Sequence, residues 1–402
     1  MVPDSFENPI KASENHCPGC GSNDICVFYR VANAPVHNTA LMLNREDALK
    51  SPRRNISLGF CKACGFISNL EYDADMMDHS YPYEDQQGFS PAFQAYSEHL
   101  THYLIEKYDI YQKKVVEIGC GKGDFLVQLC ETGRNKGVGI DPLCPDKNIE
   151  ADEDDVEFLK ENYSEKHGNL NADLIACRHT LEHIFFTAQF LQLLRKSLNG
   201  HTNPIIFFEV PDVKRILDEN AFWDIYYEHC SYFSVESLAR LFRNCGFEIL
   251  EISRSFNDQY LWIESSPALI PSKNIIGPEE SVEDLFQQVK SFKMKTDEKF
   301  RNWEKIIREK CKSGEKIAIW GSGSKCVSFL STLNAEDKIQ CVIDINPLRQ
   351  GKYLPASGIE IRGPEFLKAS KTNLVIVMNP VYHQEIQKML RDMNVKTDIM
   401  SV

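Results

Sequence analysis

The sequence predicts an α/β protein with two open, mostly parallel sheets and a small four-cysteine metal-binding module ahead of them. Three observations carry that prediction. Apolar strand-like runs alternate with helical stretches from about residue 99 to 265, the same order restarts beyond residue 310, and two Cys-x-x-Cys-Gly knuckles precede both. A chain of 402 residues, 43% apolar and 10% aromatic, suits two or three compact units and excludes wholesale disorder. Against 58 acidic residues stand 45 basic ones, a formal charge of -13, so the surface should repel a phosphate backbone and nucleic acid is not an expected partner. The opening MVPDSFENPI lacks the charged start and apolar run of a signal peptide, and the most apolar stretches, such as PIIFFEV, are far short of the roughly 18 residues that span a bilayer. A soluble, cytoplasmic protein with no membrane partner is the expectation. Fourteen cysteines spread over such a chain fit reduced thiols and metal ligands better than a disulfide framework.

Each element follows in order. Cys17 and Cys20 in HCPGCGS, and Cys61 and Cys64 in FCKACGF, aim two sulfurs per turn at one point, and the glycine after each lets the backbone reverse. Four thiolates then suit one tetrahedral zinc ion in a closed, structural site, and residues 21–60, with strand-like ICVFYRV, fill the gap between knuckles. A helix is expected at 91–109, then a strand, a glycine turn and a helix in KKVVEIGCGKGDFLVQLCETG. Further strands are expected at GVGID, ADLIACR, PIIFFEV, FEILEISRS and YLWIES. Val282, Leu285, Phe286, Val289, Phe292, Phe300, Trp303, Ile306 and Ile307 have helical spacing among charges, which predicts a long connecting helix over 281–310. The pattern restarts at EKIAIWGSGSKCVSFL, IQCVIDINP and NLVIVMNP. Gly119 precedes Asp141 by 22 residues and Gly321 precedes Asp344 by 23, so the second unit reads as a degenerate copy of the first.

The chemistry concentrates in three motifs. Glu117, Gly119, Gly121 and Gly123 lie where a strand hands over to a helix, and the spacing is GxGxG rather than the dinucleotide GxGxxG. S-adenosylmethionine has no pyrophosphate and needs room for its methionine arm, with an acid such as Asp141 for the ribose hydroxyls. A tight turn without a ligand is the plain alternative. His179-Thr-Leu-Glu182-His183 matches the HxxEH pattern of one class of zinc protease, yet it begins at a strand end, where the crevices of such sheets open. A site-lining role is therefore expected over a catalytic metal. Tyr226, Glu228 and His229 fall within four residues, just ahead of a helix capped by Ser234. A histidine beside a carboxylate suits a general base and a tyrosine suits a developing oxyanion, although adjacent side chains need not meet.

Together these motifs resemble the zinc-containing, S-adenosylmethionine-dependent sugar C-methyltransferases, which act on nucleotide-linked keto-deoxysugars at C3. The resemblance spans nearly the whole chain: the paired CxxCG knuckles, YPY at Tyr81 and Tyr83, EIGCGKGDFL, RHTLEHI, FEVPD at 208–212, YYEHCSYF and WGSGSK. It implies a zinc module (1–75), a class I methyltransferase domain with a Rossmann-like sheet (76–265), a linker with a long helix (266–310) and a C-terminal Rossmann-like substrate domain (311–402), with the sugar between domains. It further implies His229 as the base with Tyr226 and Glu228 as its partners, and His183, Tyr81 and Tyr83 as substrate-side polar groups. Arg178 and His179 join the glycine loop around the cofactor. Gly321, Gly323 and Lys325 would receive a diphosphate, or merely pack the sheet. A monomer or weak homo-oligomer is expected. After the tyrosines this chain reads EDQQGFSP where the sugar enzymes have a Ser-rich stretch, so a different acceptor pocket is expected. Transfer to oxygen or nitrogen of a sugar or other small metabolite would use the same cofactor site and stays open.

Overall fold

The computed structural model describes residues 16–77, 81–84, 86–144, 155–198, 203–272 and 281–402. The opening MVPDSFENPI lies outside the described residues. The chain begins with antiparallel β1 (Ile25–Pro35), β2 (Arg53–Cys61) and β3 (Ile67–Asn69). Bulges between Val27 and Tyr29 and between Val31 and Ala34 break the register of β1 on β2, and such bulges bend and twist a strand. Next come β4 (Lys114–Ile118), β5 (Lys136–Ile140), β6 (Val156–Leu159), β7 (Leu174–Arg178) and β8 (Ile205–Pro211), all parallel where they pair. The two-residue β9 (Ser231–Tyr232) leaves that sheet and pairs with β3, so the first sheet runs β1-β2-β3-β9. Antiparallel β10 (Phe247–Ser255) and β11 (Tyr260–Pro267) finish the central sheet in the order β10-β11-β8-β7-β4-β5-β6.

The third sheet contains β12 (Ile317–Trp320), β13 (Cys341–Ile343), β14 (Ile361–Arg362), β15 (Leu374–Val377) and β16 (Asp398–Ser401), parallel and ordered β14-β13-β12-β15-β16. Its central strands read IAIW and LVIV and are buried along their whole length, because helices cover both faces of a parallel sheet. Strand for strand, this order repeats that of β6-β5-β4-β7-β8, the relation an internal duplication requires. Each sheet has a switch point, β4 against β7 and β12 against β15, where a crevice opens at the strands' carboxyl ends.

The helix Val282–Lys312 starts on a capping box between Ser281 and Asp284 and is more than a connector. Leu285, Val289, Phe292, Trp303 and Ile307 are buried in one cluster with Tyr29 and Phe60 of the first sheet and Ile317 and Ile376 of the third. Phe292 meets Tyr29 edge-on at 5.2 Å and Trp303 meets Phe329 at 5.4 Å. Among the described residues, no helix is long and apolar enough to cross a membrane.

Candidate active site

The glycine loop after β4 is shaped by what a side chain would strike. Gly119 has φ +70°, and a Cβ there would lie 2.0 Å from Thr180 Oγ1. Gly121 also has positive φ, with open space in front of it. Its N–H donates to Asp141 Oδ2 at 3.0 Å, and Leu143 N–H donates to Asp141 Oδ1 at 2.7 Å, so the acid stands fixed at the end of β5. Glu117 is buried at the end of β4. Desolvation, stronger than the pull of Arg178, pushes its carboxyl up to about 8, and its Oε2 has no hydrogen-bond partner among the described residues. Arg178 donates from Nε to Glu209 Oε2 at 2.6 Å and lies 4.2 Å over the Phe125 ring, and its Nη2 has no hydrogen-bond partner among the described residues. His179 has φ +49° and packs edge-on against Tyr260 at 4.4 Å. Orphaned polar atoms around open glycine backbone at the β4–β7 crevice fit a polar, zwitterionic ligand arm.

A second cluster closes over that crevice. Tyr226 Oη and His229 Nε2 lie 3.0 Å apart, and the His183 and His229 rings meet edge-on at 4.8 Å. His183 Nδ1 donates to the Glu228 carbonyl at 3.1 Å. A turn at Tyr227 and Glu228 sends the Glu228 carboxylate away from His229, where it accepts from Asn38 N–H at 2.9 Å and from Tyr83 Oη at 3.3 Å. The partner that touches His229 is thus Tyr226, and Glu228 instead ties the Tyr83 segment down. Tyr81 packs its ring 5.3 Å from His37.

The first sheet positions this cluster. Asn69 N–H donates to the Cys230 carbonyl at 2.9 Å and Ser231 Oγ to the Ile184 carbonyl at 2.8 Å, so β9 anchors the residues just after His229 on both sides. Ser234 then caps the next helix by accepting from Ser237 N–H. Burial, followed by the charges of His183, His179 and Lys325, holds His229 well below the ordinary histidine range, and burial raises the Tyr226 hydroxyl well above its usual value. A neutral imidazole beside a protonated phenol is the resting state.

The C-terminal glycine motif faces the same cleft. Gly321 has φ +101°, Ser322 N–H donates to Asp344 Oδ2 at 2.8 Å, and open space lies before Gly323, which caps the helix Ser324–Leu333. Lys325 is paired with Asp224, which Arg215 also holds, and burial lowers the lysine to about 8. One cleft of about 3280 Å³ is lined by the Gly119–Gly121 loop, His183, His229, Tyr81, Tyr83 and Gly321–Lys325. Sequence reasoning missed Glu84, which is buried and joins Lys122 of the glycine loop to Asn346 Nδ2, the latter at 2.9 Å. Its only signal was its place directly after the YPY tyrosines. Asp224 was missed as well, because nothing local pairs it with a lysine 101 residues away.

Comparison with known proteins gives this geometry a class. Residues 91–252 match a methyltransferase domain family and residues 274–398 match a C-methyltransferase C-terminal domain family. The chain is an S-adenosylmethionine-dependent methyltransferase. Its central sheet is the Rossmann-like sheet of the class I enzymes. The methyltransferase is 24% identical to the C-methyltransferase NovU of Streptomyces niveus over 87% of this chain and 86% of that protein. Among solved structures, an S-adenosylmethionine-dependent methyltransferase from Listeria monocytogenes covers 43% of this chain and 99% of its own, at 12% identity and TM-score 0.32. The magnesium protoporphyrin IX methyltransferase ChlM of Synechocystis PCC 6803 covers 44% and 84%, at 11% identity and TM-score 0.34.

The four cysteines of the methyltransferase's knuckles also converge. Cys17 Sγ lies 3.6 Å from Cys64 Sγ and Cys20 Sγ 3.6 Å from Cys61 Sγ, and all four sulfurs lie within 4.8 Å of one another. Tetrahedral zinc with bonds of about 2.3 Å needs sulfurs about 3.8 Å apart, which this set fits.

Proposed function

We propose that the enzyme methylates a ring carbon of a nucleotide-linked 4-keto-deoxysugar, with a structural zinc ion on Cys17, Cys20, Cys61 and Cys64. The observation that carries this reading is the Tyr226–His229 pair, 3.0 Å apart, with His229 buried and Tyr226 half-buried, facing the cleft shared by both glycine motifs. A hydroxyl acceptor needs a base and a neutral amine needs none, whereas a carbon acid needs a base and a donor for the developing oxyanion together. The C-methyltransferase domain match over 274–398 and the relative NovU support the same choice.

In this reading His229 Nε2–H donates to the Tyr226 oxygen. The other ring nitrogen takes the proton from the carbon beside the ketone, and the Tyr226 hydrogen meets the ketone oxygen as it gains charge. His183, Tyr81 and Tyr83 bind the sugar's remaining polar groups, and Glu228 holds Tyr83 in place. Glu117, Gly119, Gly121, Gly123, Asp141, Arg178 and His179 hold S-adenosylmethionine, which when bound supplies an electrophilic methyl group. Gly321, Gly323 and Lys325 receive the diphosphate. The test is incubation with methyl-labelled S-adenosylmethionine and a panel of nucleotide-linked 4-keto-sugars in deuterated water. Methyl transfer with deuterium wash-in beside the ketone is expected. Label on oxygen or nitrogen, or a labelled product that keeps its full complement of hydrogens on the carbon beside the ketone, would sink the carbon-acid reading.

A further inference from the structure

The base proposed above has a difficulty that the cluster around it must resolve. A proton arriving on His229 makes a cation at a site where His183, His179 and Lys325 already oppose positive charge. The acidic groups nearby are mostly committed elsewhere. Asp224 is held between Lys325 and Arg215, and the Glu228 carboxylate accepts from Asn38 and Tyr83. The hydroxyls of Tyr226 and Tyr232, whose rings pack at 4.2 and 6.4 Å from that of His229, carry no charge to offer.

Glu182 is different. The residue is 1% exposed, and neither carboxylate oxygen has a hydrogen-bond partner among the described residues. One carboxylate oxygen lies within 4.8 Å of a ring nitrogen of both His183 and His229, and Oε1 is 3.7 Å from His179 Nδ1. Its backbone is fixed in the same knot, because Cys230 N–H donates to the Glu182 carbonyl at 3.0 Å. A buried carboxylate without hydrogen bonds is unfavourable unless a charge answers it, so three histidines around it point to a charge that arrives during turnover.

We propose that Glu182 is a positioning residue for the base, supplying the counter-charge that lets His229 and His183 hold the proton removed from the acceptor carbon. The acceptor's C–H bond breaks, its hydrogen goes to a ring nitrogen of His229, its electron pair stays on the substrate, and Glu182 takes no proton in the step. This rests on the reading of His229 as the base.

Two variants separate charge from shape. Glu182→Gln keeps the volume and removes the charge, whereas Glu182→Asp keeps the charge and shortens the arm. We expect kcat to fall on the order of 100-fold in the Gln variant, with the affinity for S-adenosylmethionine unchanged and a larger isotope effect for the abstracted proton. The Asp variant should recover at least about tenfold of that loss. Ring-nitrogen NMR of His229 needs no acceptor, and its protonation midpoint should drop by about one pH unit in the Gln variant and stay near wild type in the Asp variant. Equal midpoints in wild type and the Gln variant, or a Gln variant as fast as the Asp variant, would overturn the proposal. Full turnover in His229→Asn would remove the base reading instead, while the midpoint difference between wild type and the Gln variant would stand.

Discussion

At the scale of single residues, the cleft separates groups by what burial does to their charge. His229 is kept neutral and Tyr226 is kept protonated, and both states are needed before a carbon acid can be ionised. His229→Asn should therefore lower kcat by about 100- to 10,000-fold, and Tyr226→Phe by less, while cofactor affinity measured by calorimetry stays unchanged. A matched loss of affinity in both variants would place these residues in cofactor binding. Glu117 gives a second prediction with a definite sign. Its carboxyl is raised to about 8, so at pH 7 most of it is protonated in the free enzyme. This raised value makes ionisation costly in the fold, so stability should decline as pH climbs from the ordinary carboxylate range towards 8. A cationic ligand group beside it favours the carboxylate, so binding S-adenosylmethionine at pH 7 should release a proton. Calorimetry in buffers of different ionisation enthalpy measures that release, and Glu117→Gln should abolish it. No buffer dependence in the wild type would put the cofactor's cation elsewhere.

At the scale of elements, the helix Val282–Lys312 fastens the third sheet to the first. Phe292 is buried against Phe28 and Tyr29, so Phe292→Ala should cost about 3–5 kcal/mol in denaturant unfolding. Met294, two residues on, is 68% exposed, and Met294→Ala should stay within about 0.5 kcal/mol. Equal costs would mean that the helix is held by something other than its apolar face. This helix was legible in the sequence because its apolar residues keep helical spacing on either side of Thr296, as were β4, β12 and β15, whose side chains are buried on both faces. β6 was not, since VEFL follows a run of acidic residues and is only half buried, and β14 is just two residues long. The motifs gave the glycine loops, the HTLEH turn and the Tyr226–His229 pair for the same reason, that their chemistry is local. What stayed hidden was long-range: β9 pairing with β3, Lys325 held by Asp224, and Glu84 reaching from the YPY segment to Asn346. Spacing along a chain carries no record of such contacts.

At the scale of the whole molecule, the four-cysteine module and the cleft are joined mechanically. Cys61 ends β2, Cys64 lies in the turn into β3, and β3 pairs with β9, which directly follows His229 and Cys230. Arg240, on the helix after β9, donates to the Cys64 carbonyl at 2.9 Å and ties the knuckle to the central domain. A metal held by the four cysteines would organise β2, the turn and β3 and so act on the proposed base His229 from a distance, without an open coordination position for substrate. Purified protein should carry one zinc per chain. Chelation should lower the melting temperature and abolish methyl transfer, and readdition of zinc should restore both. Alanine at Cys61 should mimic chelation, whereas alanine at Cys311, which lies on the long helix away from the knuckles, should not. The order of loss is the sharper test. Because the glycine loop hangs from β4 and β5, which share a core cluster with the cysteines but take no part in the β2–β3–β9 pairing, mild chelation should remove turnover before it removes S-adenosylmethionine binding. Simultaneous loss of both would show instead that the ion holds up the entire fold rather than the segment that carries His229.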